Sequence, residues 1–158
     1  MKWKYLLGEW GLAKLKLEGG FVDAEFAPHE ADRNAAWELY IELATRISTQ
    51  PLPPGQGVEA SALESLHSLF ASARDIMKRY GRDAQAFTRI GIAVLNHILR
   101  PFLTRWHPQF ADTTTPDEAS LALFRQDLEA VRRDMLAYAC VLAAIADVAP
   151  MAGEEEYE

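Results

Sequence analysis

Polar and apolar residues change their period near residue 27. In LAKLKLEGGFVDAEF, Leu12 to Phe26, they alternate about a central Gly19-Gly20 pair. Glycine accepts the positive φ angles of a two-residue hairpin turn. With the turn there, Leu17 faces Val22, Leu15 faces Ala24 and Ala13 faces Phe26 on one side. Lys16 then faces Asp23, and Lys14 faces Glu25, on the other. Apolar pairs on one face and opposite charges on the other suit a half-buried antiparallel pair, so the pattern predicts an N-terminal β-hairpin. Trp3, Tyr5 and Leu7 alternate with Lys2, Lys4 and Leu6 and offer a third strand.

Beyond Pro28 the period becomes helical. A first helix over 28–48 carries Trp37, Tyr40, Ala44 and Ile47 on one stripe, with Leu43 beside it, and a Glu38, Glu42, Arg46 ladder on another. The proline-rich TQPLPPGQG ends it. A second helix, 59–80, spaces Leu63, Leu66, Phe70, Ala73 and Met77 by three and four and closes at Gly81. Asp83 is placed to cap a third, 83–107, running through Phe87, Ile90, Val94 and Ile98 toward Trp106. The fourth, 116–148, opens with Thr115 as cap, Pro116 in the first turn and Glu118 completing a capping box. It continues through Leu121, Phe124, Leu128, Val131, Met135, Tyr138, Leu142 and Ile145. Short connections between amphipathic helices predict a mainly α fold, an antiparallel four-helix bundle preceded by the hairpin. The expected layout is one domain over 1–150 (hairpin region 1–27, bundle 28–149) and an acidic disordered tail at 151–158. At about 1.5 Å per residue the fourth helix reaches nearly 50 Å, and its overhanging apolar seam calls for a partner protein or a second copy.

Charge narrows the picture little. The formal net charge of −7 owes four of its negative charges to the terminal EEEYE, and no global basic excess points to nucleic acid. Cys140 is the only cysteine, set in YACVLAAIA, which excludes an intrachain disulfide and reads as a buried, inert thiol. No stretch is long and apolar enough for a membrane span, and Gly8, Glu9 and Trp10 cut short any signal-peptide core, so a cytoplasmic protein is expected.

Candidate chemistry gathers in NHILRPFLTRWHP, Asn96 to Pro108. On a regular helix Arg89, Asn96, Arg100 and His107 fall within a narrow stripe of roughly 40°. Arg100 and His107 then stand two turns apart, roughly 10 Å along the axis, and both reach a phosphate held between them. Arginine offers a charged fork to a phosphodiester, and histidine moves protons near neutral pH. Arg105 beside Trp106 reads as a stacked pair at the apolar edge, and Pro101 as the source of a kink. The binding set is therefore Arg89, Asn96, Arg100, Arg105, Trp106 and His107.

RPFLTRWH on a four-helix bundle resembles the motif of the HEPN ribonucleases. The resemblance implies a metal-independent RNase in which Arg100 and His107 are the catalytic pair, Asn96 a polar helper, RNA the substrate and a dimer the working form. WELYIELATRISTQPL together with RPFLTRWH also resembles segments of small bacterial helical proteins of unassigned function, which implies a role in antiviral defence. A glycine-rich phosphate loop, a Gly-x-Ser-x-Gly elbow and a Cys-x-x-Cys pair are all missing, which argues against an ordinary enzyme. His67 reads as a hydrogen-bonded residue at the core edge. His29, Glu30 and Asp32 suit the dipole of the first helix, with no second His/Glu motif to build a metal site, so neither metal nor other cofactor is expected. The polar stripe is otherwise simply a solvated face. The favoured expectation is a non-catalytic helical interaction protein whose stripe binds rather than cuts, with a nucleic-acid- or anion-binding module as an alternative.

Overall fold

The computed structural model describes residues 1–46, 59–111 and 116–150. The proline-rich linker, Ile47, Thr115 and the acidic tail, on which several expectations fell, lie outside these. Among the described residues the protein is mainly α, with helices and no strand: α1 (Trp3–Glu9), α2 (Gly19–Val22), α3 (Glu30–Ala44), α4 (Glu59–Tyr80), a 3₁₀ turn at Gly81–Ala84, α5 (Gln85–Val94), a π turn at Leu95–Leu99, α6 (Arg100–Phe110) and α7 (Glu118–Ala146). None of these helices is long and apolar enough to cross a membrane.

The expected hairpin does not form. Gly19 and Gly20 open the single helical turn α2, in which Val22 N–H donates to Glu18 O and Asp23 N–H to Gly19 O. Residues 3–9 are helical because Trp3, Leu6 and Leu7 recur at i, i+3 and i+4 and are buried, while Tyr5 points out at 61% exposure. The alternating pattern offered a plausible apolar face, but a tertiary contact decides against it. Trp3 stacks on Phe21 at 5.1 Å and meets Phe26 edge-on at 4.7 Å. That brings residues 24–26 back to the chain start through one isolated bridge, Lys2 to Glu25, with Trp3 N–H donating to Ala24 O. The expected charge pairs are replaced: Asp23 pairs with Lys4 at 2.8 Å instead of Lys16, Glu25 with the N-terminal amine at 3.0 Å, and Lys14 with Asp134 of α7 at 2.5 Å.

Helix α3 is central, packing on α4, α5 and α7. Its buried positions are Asp32, Ala35, Ala36, Leu39, Tyr40 and Leu43. Small alanines let the neighbouring helices come close. Trp37, expected on the core stripe, is instead 40% exposed and stacked on Tyr40. Buried Asp32 joins two helix starts. One carboxylate oxygen accepts from His29 N–H at 2.9 Å, and the other accepts from Phe87 N–H, in the first turn of α5, also at 2.9 Å. Asp83, expected to cap that helix, lies in the preceding 3₁₀ turn.

Helix α7 begins two residues later than expected, capped by Asp117, whose side chain accepts from Ser120 N–H at 2.7 Å. It ends at Asp147, which takes the left-handed φ of 59° that aspartate tolerates better than most residues. Its C-terminal seam is not bare. Val141, Leu142, Ala143 and Ile145 are fully buried within this one chain. The overhang that called for a partner is thus covered internally, chiefly against α3.

Candidate groove between α4 and α6

The third helical run breaks at the stretch the sequence singled out. Pro101 has no N–H to give the carbonyl of His97, and its ring crowds that carbonyl. The backbone widens to accommodate it: Arg100 N–H donates to Leu95 O, five residues back, in the π turn Leu95–Leu99. One added residue in a turn rotates the downstream side chains by roughly 100° relative to a regular helix. Residues on one predicted stripe are redistributed accordingly.

Arg89 turns to the N-terminal segment, pairing with Glu18 at 2.8 Å and lying over the Phe21 ring. Arg105 and Trp106 face α7. Arg105 pairs with Asp127 at 2.8 Å, and the indole N–H of buried Trp106 donates to the same carboxylate oxygen at 2.9 Å. Arg105 also sits over the Trp106 ring, as the sequence implied. Asn96, Arg100 and His107 do share a site: an open groove of about 550 Å³ between α4 and α6. Of the six expected binding residues, the groove collects these three, while Arg89, Arg105 and Trp106 serve other contacts.

Sequence reasoning missed the opposite wall. His67, Phe70, Arg74 and Met77 of α4 line it. The 3-4 spacing of Leu63, Leu66, Phe70, Ala73 and Met77 treated all five as core. Leu63, Leu66 and Ala73 are core, but Phe70 and Met77 are only half-buried and form the groove's floor with Leu95 and Leu103. Arg100 lays its guanidinium 5.4 Å from the Phe70 ring centroid while Nε and one terminal nitrogen donate to Asn96 Oδ1 at 3.1 and 3.0 Å. Arg74 donates through Nε to its own turn, at Phe70 O. Among the described residues neither arginine has a carboxylate partner, nor do Arg33 and Arg82, whereas Arg46, Arg79, Arg89, Arg105, Arg125, Arg132 and Arg133 do.

At one end of the groove the His67 and His107 rings face each other with centroids 5.2 Å apart. Glu64, one turn before His67, joins them, and one ligand atom from each of the three lies within 4.8 Å of the others. All three side chains are exposed, and among the described residues His67 has none of the hydrogen bonds the sequence implied. The signal was present as Glu64-x-x-His67, an i, i+3 pair on one helical face. Its third member lies forty positions away on another helix.

A larger cavity of about 870 Å³ opens beside α2 and the starts of α3 and α5. It mixes Glu18, Glu30 and Asp83 with Arg82 and Arg89 and selects no sign of charge. The α4–α6 groove has the more specific character. Comparison with protein-family models, with curated proteins and with solved structures gives no match.

Proposed function

We propose that the protein is a non-catalytic binding module whose α4–α6 groove receives an organic anion, a phosphate or carboxylate carried on an apolar body. One observation carries this reading: Arg74 and Arg100, which have no carboxylate partner among the described residues, overhang a floor of Phe70, Met77, Leu95 and Leu103. Arg33 and Arg82 also lack a carboxylate partner among the described residues, but of these four only Arg74 and Arg100 line one apolar groove together, which positions them for an external anion. Arg100 is also held in place. Asn96 fixes one edge of its guanidinium and Phe70 supports its face, leaving donors free at small entropic cost.

Titration calorimetry with phenyl phosphate, in buffer containing EDTA, tests the reading. Phenyl phosphate is expected to bind more tightly than inorganic phosphate, which lacks the apolar contact, and than phenol, which lacks the charge. A charged hydrogen bond contributes about 1.5–3 kcal/mol, so Arg100→Ala is expected to weaken binding by roughly tenfold or more. Equal affinity of the native protein and the Arg74→Ala/Arg100→Ala double variant would overturn it.

Arg100 and His107 facing one groove also favour a second reading, the metal-independent RNA cleavage that the HEPN resemblance implies. Histidine acid/base catalysis contributes roughly 10²–10⁴-fold, so cleavage of mixed RNA in EDTA should fall by that factor in His107→Ala. Uncleaved RNA removes this second reading and leaves the first intact.

A further inference from the structure

We infer that Glu64, His67 and His107 form a binding site for a divalent transition metal of the zinc class at the end of the α4–α6 groove. The donor set is one carboxylate and two imidazoles, which suits zinc, cobalt, nickel or copper rather than magnesium or calcium. Two of the three ligands come from adjacent turns of one helix and the third from the facing helix, so the site is assembled by tertiary packing.

The backbone carrying these ligands is well anchored. Leu63 and Leu66 beside Glu64 and His67, and Leu103 and Trp106 beside His107, are all buried. Only the side chains have to adjust. Donors around tetrahedral zinc stand roughly 3.3 Å apart, given bonds of about 2.0–2.1 Å. The three ligand atoms already lie within 4.8 Å of one another, so closure of roughly 1.5 Å completes the set. Exposed side chains supply that by small χ rotations, and no hydrogen bond or ion pair among the described residues has to be broken. The two rings bring their nitrogens within 4.8 Å of each other, and among the described residues neither has a hydrogen-bonding partner. A metal ion supplies one.

Three protein ligands leave at least one coordination position open, and the groove adjoins it. One carboxylate against a doubly charged ion leaves a net positive site. This placement adds a Lewis-acidic contact for an anion held by Arg74 and Arg100. Metal binding itself does not depend on that anion.

The test uses the full, tag-free chain, stripped of metal and titrated with zinc chloride in phosphate-free buffer holding excess magnesium. Magnesium occupies weak carboxylate sites such as the terminal glutamates. One equivalent of zinc is expected to bind, and cobalt in its place should develop the visible absorption of a four-coordinate ion. Losing an outer-shell partner alone costs about 10–100-fold in metal affinity, so Glu64→Gln, His67→Gln and His107→Gln should each lose at least tenfold. His97→Gln, which alters a histidine on another face, should bind as the native chain does. Far-UV circular dichroism confirms that the exposed substitutions leave the fold intact. No stoichiometric zinc binding overturns the inference, as does native-like affinity in both His67→Gln and His107→Gln. Because zinc is titrated without phosphate and the organic anion with EDTA, the metal site and the anion groove fail independently.

Discussion

Asp32 is the position where one substitution should do most damage to the fold. Its side chain is fully buried, and each oxygen accepts a backbone N–H at 2.9 Å, one at the start of α3 and one at the start of α5. Removing the carboxylate in Asp32→Ala leaves two donors without partners at the positive ends of two helices. A helix cap contributes typically about 1 kcal/mol, and a hydrogen bond to a charged group about 1.5–3. Two such bonds lost together give an expected destabilisation of about 3–6 kcal/mol, a large part of the 5–15 kcal/mol typical of a domain. Asp32→Asn keeps one acceptor and turns an amide donor toward the other N–H, so it should fall between native and alanine. Urea unfolding at neutral pH, followed by circular dichroism, measures both. Asp83→Ala is the control, since an exposed residue in the preceding turn should cost under about 0.5 kcal/mol. A loss below about 1 kcal/mol for Asp32→Ala, or a loss at Asp83 as large as at Asp32, would refute the double cap.

Two more outcomes are expected from buried and paired groups. Tyr138 is buried, its hydroxyl has no hydrogen-bond partner among the described residues, and burial pushes its phenol pKa well up, so it stays neutral. Tyr138→Phe should therefore raise stability in urea by about 1 kcal/mol, and a loss of that size would show that the hydroxyl is satisfied. The backbone N–H of Ser120 holds Asp117 below the ordinary carboxylate value of 3.8, and Arg132 does the same for Glu129 below 4.5. A depressed acid contributes stability above its unfolded pKa and loses it as pH falls through the folded one. The urea midpoint should thus hold from pH 7 to about 5 and fall below about pH 4.5, less steeply in Asp117→Asn; a flat profile to pH 3 would contradict these pairings.

The helical half of the molecule was legible because burial and period agree there: Leu63, Leu66, Phe87, Ile90, Phe124 and Leu142 were expected in the core and are buried. The N-terminal segment, residues 1–27, was misread because alternation over 13–26 is equally compatible with turns, and the contact that decides, Trp3 against Phe21 and Phe26, is not local. The cap of α5 was misassigned for the same reason, since Asp83 is near in sequence but Asp32, 55 positions away, is near in space. Of the candidate groove, Asn96, Arg100 and His107 were grouped by their spacing and do line one groove. The π turn that parts them from Arg89 arises at Pro101, whose effect on register a uniform 100° step does not carry. Arg74 and Glu64-x-x-His67 passed unnoticed because an opposing helix wall becomes visible only once the helices are docked.

The most direct test of the groove is to map where an organic anion lands. Titrating phenyl phosphate into ¹⁵N-labelled protein in EDTA, with amide shifts followed by NMR, should move residues of both walls together: 67–77 on α4, and Leu95 to His107 across the π turn and α6. Arg100→Ala should erase the response at fixed ligand concentration. Shifts confined to the cavity of Arg82 and Arg89 beside α2, or none at concentrations that saturate the calorimetric signal, would contradict an anion-binding groove between α4 and α6.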